Sequence, residues 1–76
     1  MRVLSSALKH GIVEDEIRAA LQVPMRRVRL GDGLILIIGA DHAAQVLEIV
    51  VADMDTVDPR VIHAMPLRRK FHQDLE

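Results

Sequence analysis

The feature that most constrains the fold is a change in hydrophobic period near residue 25. Before Pro24, apolar residues recur at spacings of three and four, as in amphipathic helices. After it, "MRRVRL" alternates apolar and charged residues, and three more apolar segments follow, namely "LILIIG", "QVLEIVVAD" and "RVIHAM". The connections are short: "GDG", "ADHAA" and "DMDTVDP". Because parallel strands need long crossovers, the pattern predicts a four-stranded antiparallel β-meander.

Two helices are predicted ahead of the strands. Ser5 or Ser6 suits the N-cap of a short helix that runs to His10, with Gly11 ending it. The segment "VEDEIRAAL" predicts a second helix, because its acidic residues lie in the first turn, near the positive end of the helix dipole. The tail "LRRKFHQDLE" is predicted to be a short helical or irregular segment. The expected fold is α+β, with two N-terminal helices packed on the four-stranded meander.

Length and composition narrow the class of protein. The 76 residues correspond to a single domain, residues 1–76, and the absence of cysteine excludes disulfides and thiolate zinc sites. Half of the residues are hydrophobic, so we expect uncovered apolar surface that a partner or self-association would bury. The longest apolar run, residues 34–38, is too short to span a bilayer, and no signal peptide is evident at the N-terminus. A cytoplasmic protein without membrane contact is therefore predicted.

Glu48 and His63 are the polar residues that stand out in the predicted strands. A carboxylate within an apolar strand must face solvent, be paired or serve a function. Antiparallel pairing across "DMDTVDP" would bring Glu48 close to His63, although a register shifted by one residue would place them on opposite faces. Their contact is therefore a hypothesis that depends on register.

A basic cluster follows His63 at Arg68, Arg69 and Lys70. A lone histidine in a strand is most often structural, but histidine beside phosphate-binding cations is also the set that cleaves RNA without metal. Histidine can transfer protons in that reaction, and arginine and lysine can hold the phosphate and stabilise its charge. The candidates for a second proton-transfer group are His72, Lys9, His10 and Glu48.

Two other groups of cations can be explained by a structural role as well as by a functional one. Lys9 and His10 precede Gly11, so they suit a phosphate, but cations at the end of a helix also satisfy its carbonyls and dipole. Arg26, Arg27 and Arg29 form a basic first strand. Charges there protect an exposed sheet edge, and they would equally serve an anion or the acidic segment of a partner.

The chain resembles BrnT-like toxins of type II toxin–antitoxin systems, within the wider RelE-like group of ribonucleases. The resemblance lies in "LKHGIVEDEIRAAL", "LILIIGAD", "VLEIVVAD" and "VIHAMPLRRKF", which together cover most of the chain. The strand end "VIHAMP" followed by bases is its most specific part. At Met65 the chain departs from the family, which often has arginine after the "HA" pair, so Arg68 would have to substitute.

The resemblance implies an RNA-cleaving toxin that needs no metal or other cofactor and that inhibits growth. Its partner would be a cognate antitoxin, a ribbon–helix–helix or other small DNA-binding protein, which binds it in a hetero-oligomer. Carried over to this chain, the resemblance and the residues together nominate His63, Arg68, Lys70, Lys9, His10 and Glu48 as the site. The alternative is a non-catalytic interaction module that binds a partner through its sheet edge and exposed aliphatic side chains.

Overall fold

A computed structural model describes residues 1–75, with side chains described through Gln73. Its strands are β1 (Arg2–Val3), β2 (Pro24–Gly31), β3 (Leu34–Ala40), β4 (Val46–Ala52) and β5 (Arg60–Pro66). The single α-helix, α1, spans Glu14–Gln22, and two 3₁₀ helices span Ser5–Leu8 and Arg69–Leu75. The five strands form one mixed sheet in the order β1-β5-β4-β3-β2. None of the helices in this part of the chain has the length and apolar character to cross a bilayer.

The predicted fold class is wrong in two respects. The sheet has five strands, because Arg2 and Val3 pair in parallel with Arg60 and Val61 of β5. The first predicted helix is a single 3₁₀ turn, and no side chain caps it. Ser6, expected as a cap, instead donates its hydroxyl hydrogen to the carbonyl oxygen of Ile62, 2.8 Å away. Because this hydroxyl group holds the 3₁₀ turn against β5, it does not cap a helix. The described residues therefore contain one α-helix, α1.

The antiparallel part of the sheet follows from the alternation and the turns. β2, β3, β4 and β5 pair successively in antiparallel fashion. The "GDG" turn between β2 and β3 has positive φ at all three of its residues, at Gly31, Asp32 and Gly33. Glycine adopts such angles without steric cost, and aspartate tolerates them better than most residues, so the sequence suits a tight hairpin here.

The main core lies between α1 and one face of the sheet. Ile17 and Ala20 of α1 are fully buried against it. The sheet contributes alternate residues of β3 and β4, together with two residues of β5 that lie on either side of its register shift, namely Ile35, Ile37, Leu47, Ile49, Val51, Val61 and Ala64. At Gly39 a side chain would collide with the carbonyl oxygen of Ala20. Glycine therefore permits the helix to approach β3 closely, and substitution by any larger residue would push the two apart.

The second face of the sheet is covered by the end of the chain. Leu36, Ile38 and Glu48 lie on this face and are fully buried. After β5, the backbone N–H of Leu67 donates to the carbonyl of Val46 at 2.9 Å, which turns the chain back over the sheet. The C-terminal 3₁₀ helix then approaches β2. This return brings Arg68 to Glu48.

Candidate functional site

Glu48 is the centre of the site and the only fully buried charged side chain among the described residues. It alternates with Leu47 and Ile49, which belong to the main core, so its carboxylate points to the opposite face. Arg68 donates to it from its backbone N–H at 2.8 Å, from Nε at 3.0 Å and from Nη2 at 2.7 Å. His63 contacts the same carboxylate through Nε2 at 3.0 Å. These contacts compensate a charge that would otherwise be costly to bury.

The hydrogen bonds also set the charge state of Glu48. Burial alone raises the pKa of a carboxyl group, because it disfavours the ionised form. At Glu48 the hydrogen bonds from the Arg68 side chain and backbone, and from His63, outweigh that effect and hold the pKa below its usual value. The group is therefore an anion at neutral pH, with its lone pairs directed at Arg68 and His63.

The register of β4 and β5 explains why Glu48 and His63 meet. His63 lies directly across from Val50, and Met65 directly across from Glu48. Because Glu48 and Val50 are two residues apart on one strand, all these side chains share a face. The pairing shifts between Val50 and Val51, so Ile62 is an extra residue at a bulge. The contact hypothesised from the sequence is thus present, as a diagonal pair.

His63 carries its proton in a defined position. An ionised carboxylate only accepts hydrogen bonds, so the hydrogen between the two groups belongs to Nε2 of His63. In the neutral ring, Nδ1 then has a free lone pair, and no hydrogen bond to it occurs within the described part of the chain. The His63 side chain is 22% exposed, so the ring lies at the surface above a buried anion. This arrangement fixes both the tautomer and the orientation of the ring.

A second histidine, His10, packs against His63. The two ring centroids are 5.4 Å apart, and the rings meet edge to face at 71°. His10 lies just after the first 3₁₀ helix, which the Ser6–Ile62 hydrogen bond and the β1–β5 pairing hold at the edge of β5. Two imidazole rings in contact at an exposed surface provide one potential proton acceptor and one potential donor.

The remaining nominated residues are Arg68, Lys70 and Lys9. Arg68 is 43% exposed on its side chain, and Nη1 is its guanidinium nitrogen without a bond to Glu48. Lys70 places its ammonium group 4.9 Å from the ring centroid of Phe71, and the Arg68 guanidinium lies 5.5 Å from the same ring. Lys9 is exposed next to His10 in the chain, and its side chain forms no hydrogen bond with the described side chains or backbone of residues 1–73.

Phe71 is a site residue that sequence reasoning missed. Phe71 is the single Phe, Tyr or Trp in the sequence, and its half-buried ring supports two of the cations predicted to bind phosphate. Its position three residues after Arg68 is a helical spacing, but the weak helix signal of the tail gave no reason to use it. His72, another candidate proton-transfer group, is exposed, and the described ring that packs against His63 is that of His10.

Another histidine–carboxylate pair lies between α1 and the β3–β4 turn. Glu16 accepts hydrogen bonds from the backbone N–H of His42 and from its Nδ1, each at 2.8 Å. The side-chain hydrogen bond with Glu16 raises the pKa of His42, and that bond likewise lowers the pKa of Glu16. No cationic cluster accompanies this pair, and it fastens the turn to the helix.

Among the side chains of residues 1–73, no group of three or more metal-ligating residues is assembled. A cleft of about 300 Å³ lies between the β2–β3 turn and the β4–β5 loop, lined by Asp32, Asp53 and Asp55 among others, and it includes none of the residues around Glu48. A scan against models of protein families found no match. A search of the curated proteins and a search of the solved structures also found none.

Proposed function

We propose that this chain is a metal-independent ribonuclease, the toxin component of a type II toxin–antitoxin system. The observation that carries the proposal is the position of His63, whose ring is held by the buried Glu48 on one side and contacted by His10 on the other. Two histidines at a basic surface are the groups that RNA cleavage by the ribose 2′-oxygen needs. The sequence resemblance points to the same reaction.

In the proposed reaction, Nδ1 of His63 takes the proton from the ribose 2′-hydroxyl. The 2′-oxygen attacks the adjacent phosphorus, and the bond from phosphorus to the 5′-oxygen breaks. His10, in its protonated form, gives a proton to that leaving 5′-oxygen. The products are a 2′,3′-cyclic phosphate and a 5′-hydroxyl, so the enzyme supplies one proton and removes one. Glu48 does not touch the substrate, and it acts by fixing the tautomer of His63.

Cations would stabilise a phosphate that gains charge in the transition state. Nη1 of Arg68, the ammonium of Lys70 and the ammonium of Lys9 are the groups available for it. Most of the Arg68 guanidinium is committed to Glu48, so its role is divided between holding the carboxylate and facing the phosphate. Met65 lies directly across from Glu48, where the resembling toxins often have arginine, and Arg68 reaches that carboxylate from the returning tail.

The proposed biological role follows from the resemblance. Cleavage of cellular RNA in the cytoplasm would inhibit translation and growth, and a cognate antitoxin would bind the chain and neutralise it. The exposed apolar side chains support such a partner, since Val23, Met25 and Leu30 are 67%, 53% and 45% exposed on a domain of only 76 residues.

The test is cleavage of a synthetic oligonucleotide by the purified protein in the presence of EDTA. A DNA strand that contains a single ribonucleotide has one cleavable linkage, and the all-DNA strand is the matched control. We expect cleavage only after the ribonucleotide, and we expect induced expression to slow bacterial growth. Cleavage of the all-DNA strand, or cleavage that EDTA abolishes, would contradict the proposed mechanism.

The second candidate is a non-catalytic interaction module. It is favoured by the same exposed apolar residues and by the commitment of Arg68 to a buried carboxylate, which is an arrangement that also serves stability alone. A protein that neither cleaves the single-ribonucleotide strand nor slows growth, but binds a protein partner, would support this candidate over the ribonuclease.

A further inference from the structure

The sheet has one long open edge, at β2. In the sheet order β1-β5-β4-β3-β2, this strand pairs only with β3 within the described residues. The opposite edge is short, since β1 has two residues, and the first 3₁₀ helix packs beside the rest of β5. An unpaired strand presents a row of backbone N–H and C=O groups, so β2 is a ready template for another extended chain.

The arginines of β2 have no acidic partners among the described side chains, residues 1–73. Arg26, Arg27 and Arg29 are exposed, and none forms an ion pair with a described side chain. Of the five arginines elsewhere in the chain, four are paired with carboxylates, in Arg2–Asp58, Arg18–Glu14, Arg60–Asp53 and Arg68–Glu48. Arg69 is the fifth, and it has no ion pair with a described side chain. Three unpaired cations within four residues repel one another, and carboxylates from outside would relieve that repulsion.

The arginine side chains of β2 would lie beside the side chains of a strand added to its open edge. Arg27 and Arg29 lie across from Ile37 and Ile35, so they share one face of the sheet. A neighbouring strand with acidic residues at alternate positions would set its carboxylates directly beside them. The apolar residues Met25 and Leu30 fall at the two register shifts of β2 and are 53% and 45% exposed, which offers aliphatic contact at both ends.

We propose that the outer edge of β2 binds an extended, acidic segment of a protein partner by strand addition. Nucleic acid is the weaker fit for this edge. Phosphates would pair with the arginines, but they would leave the backbone ladder and the two aliphatic ends unused, and β2 has no aromatic side chain on which bases could stack. Binding of a peptide at this edge does not require RNA cleavage. The edge is the surface on which the protein partner in the proposed function would bind.

A peptide series tests the proposal with the full chain. The probe is a labelled, end-capped peptide of seven residues that alternates valine and glutamate. In the first control both inner valines are replaced by proline, which keeps the charge but removes strand pairing. In the second control the glutamates become lysines. Fluorescence anisotropy should show binding of the probe, at least about tenfold weaker binding of the proline peptide and no binding of the lysine peptide.

Variants of the protein locate the binding edge. Arg27→Glu should weaken binding of the probe at least about tenfold, because it places a like charge beside the peptide carboxylates. Lys9→Glu makes the same change in charge near the opposite edge of the sheet, beside β5. This variant should bind the peptide within about twofold of wild type. Strand addition should also show as loss of amide hydrogen exchange along β2 when the peptide is bound.

The outcomes separate this inference from the proposed ribonuclease. Equal binding of the probe and its proline control would overturn strand addition, and so would equal effects of Arg27→Glu and Lys9→Glu. If Arg27→Glu lowers RNA cleavage while no peptide binds, the edge belongs to RNA and the inference is wrong. A wild-type protein that binds the peptide but does not cleave RNA would support the edge and contradict only the ribonuclease. Because His63 lies on β5, away from β2, His63→Ala should bind the peptide as wild type does.

Discussion

Replacing His63 by alanine is expected to lower the rate constant of RNA cleavage by about 10²–10⁴-fold, the usual contribution of a positioned general acid or base. The loss follows because the 2′-hydroxyl would have no group to take its proton. His10→Ala should cause a loss of similar size, since the leaving 5′-oxygen would lack its proton donor. Both positions are at least partly exposed, so circular dichroism should show folded variants.

His42→Ala is the matched control for these two variants. It removes a histidine that is also bonded to a carboxylate, but one that lies between α1 and the β3–β4 turn. Its cleavage rate should equal that of wild type. In rate measurements across pH, wild type should give a bell-shaped profile, and each active-site variant should lose one limb. A His10→Ala variant with the wild-type rate would remove His10 from the mechanism.

Replacing Glu48 by glutamine is expected to lower the free energy of unfolding by about 2–4 kcal/mol, because it removes a buried anion and leaves its donors without a charged acceptor. For a domain of this size, that is a large part of the total stability. Urea denaturation followed by circular dichroism measures the change. Glu14→Gln is the control, since Glu14 forms an exposed pair with Arg18 one helical turn away and its loss should change stability little. Equal stabilities of the two variants would contradict the central place of Glu48 in the fold.

The dependence of stability on pH tests the contribution of Glu48 in a second way. The folded-state pKa of Glu48 lies below that of the unfolded chain, so its stabilisation is present above the unfolded value of about 4.3 and is lost as pH falls through the folded value. The lowered pKa values of Glu16 and Asp58 act in the same direction. The difference between wild type and Glu48→Gln should therefore shrink on acidification, whereas a difference that stays constant would exclude ionisation of Glu48 as its cause.

The alternation of side chains was sufficient to locate the antiparallel strands but not the rest of the fold. β2 to β5 lie where the period of two and the short turns indicated. β1 could not be foreseen, because two residues carry no periodicity and their pairing with β5 joins distant parts of the chain. The first predicted helix was wrong because Ser6, read as a cap, has a tertiary partner in Ile62. Local propensity cannot anticipate such a contact.

The candidate site was only partly accessible from sequence for the same reason. Glu48 and His63 stood out as polar residues in apolar strands, but their contact depends on a register that the bulge after Val50 sets. The contact of His10 with His63 requires β1, which brings the N-terminal segment to the edge of β5. Arg68 was expected to face phosphate, and its triple donation to Glu48 became visible only with the return of the tail over the sheet.

The most direct test of the proposed mechanism is the chemical identity of the ends produced when the purified protein cleaves the single-ribonucleotide strand. Mass spectrometry of one sample identifies the chemical groups at both new ends. Attack by the 2′-oxygen with proton transfer by His63 and His10 predicts a 2′,3′-cyclic phosphate on one fragment and a 5′-hydroxyl on the other, and predicts that His63→Ala forms both at least about 100-fold more slowly. A 3′-hydroxyl with a 5′-phosphate, or undiminished cleavage by His63→Ala, would contradict it.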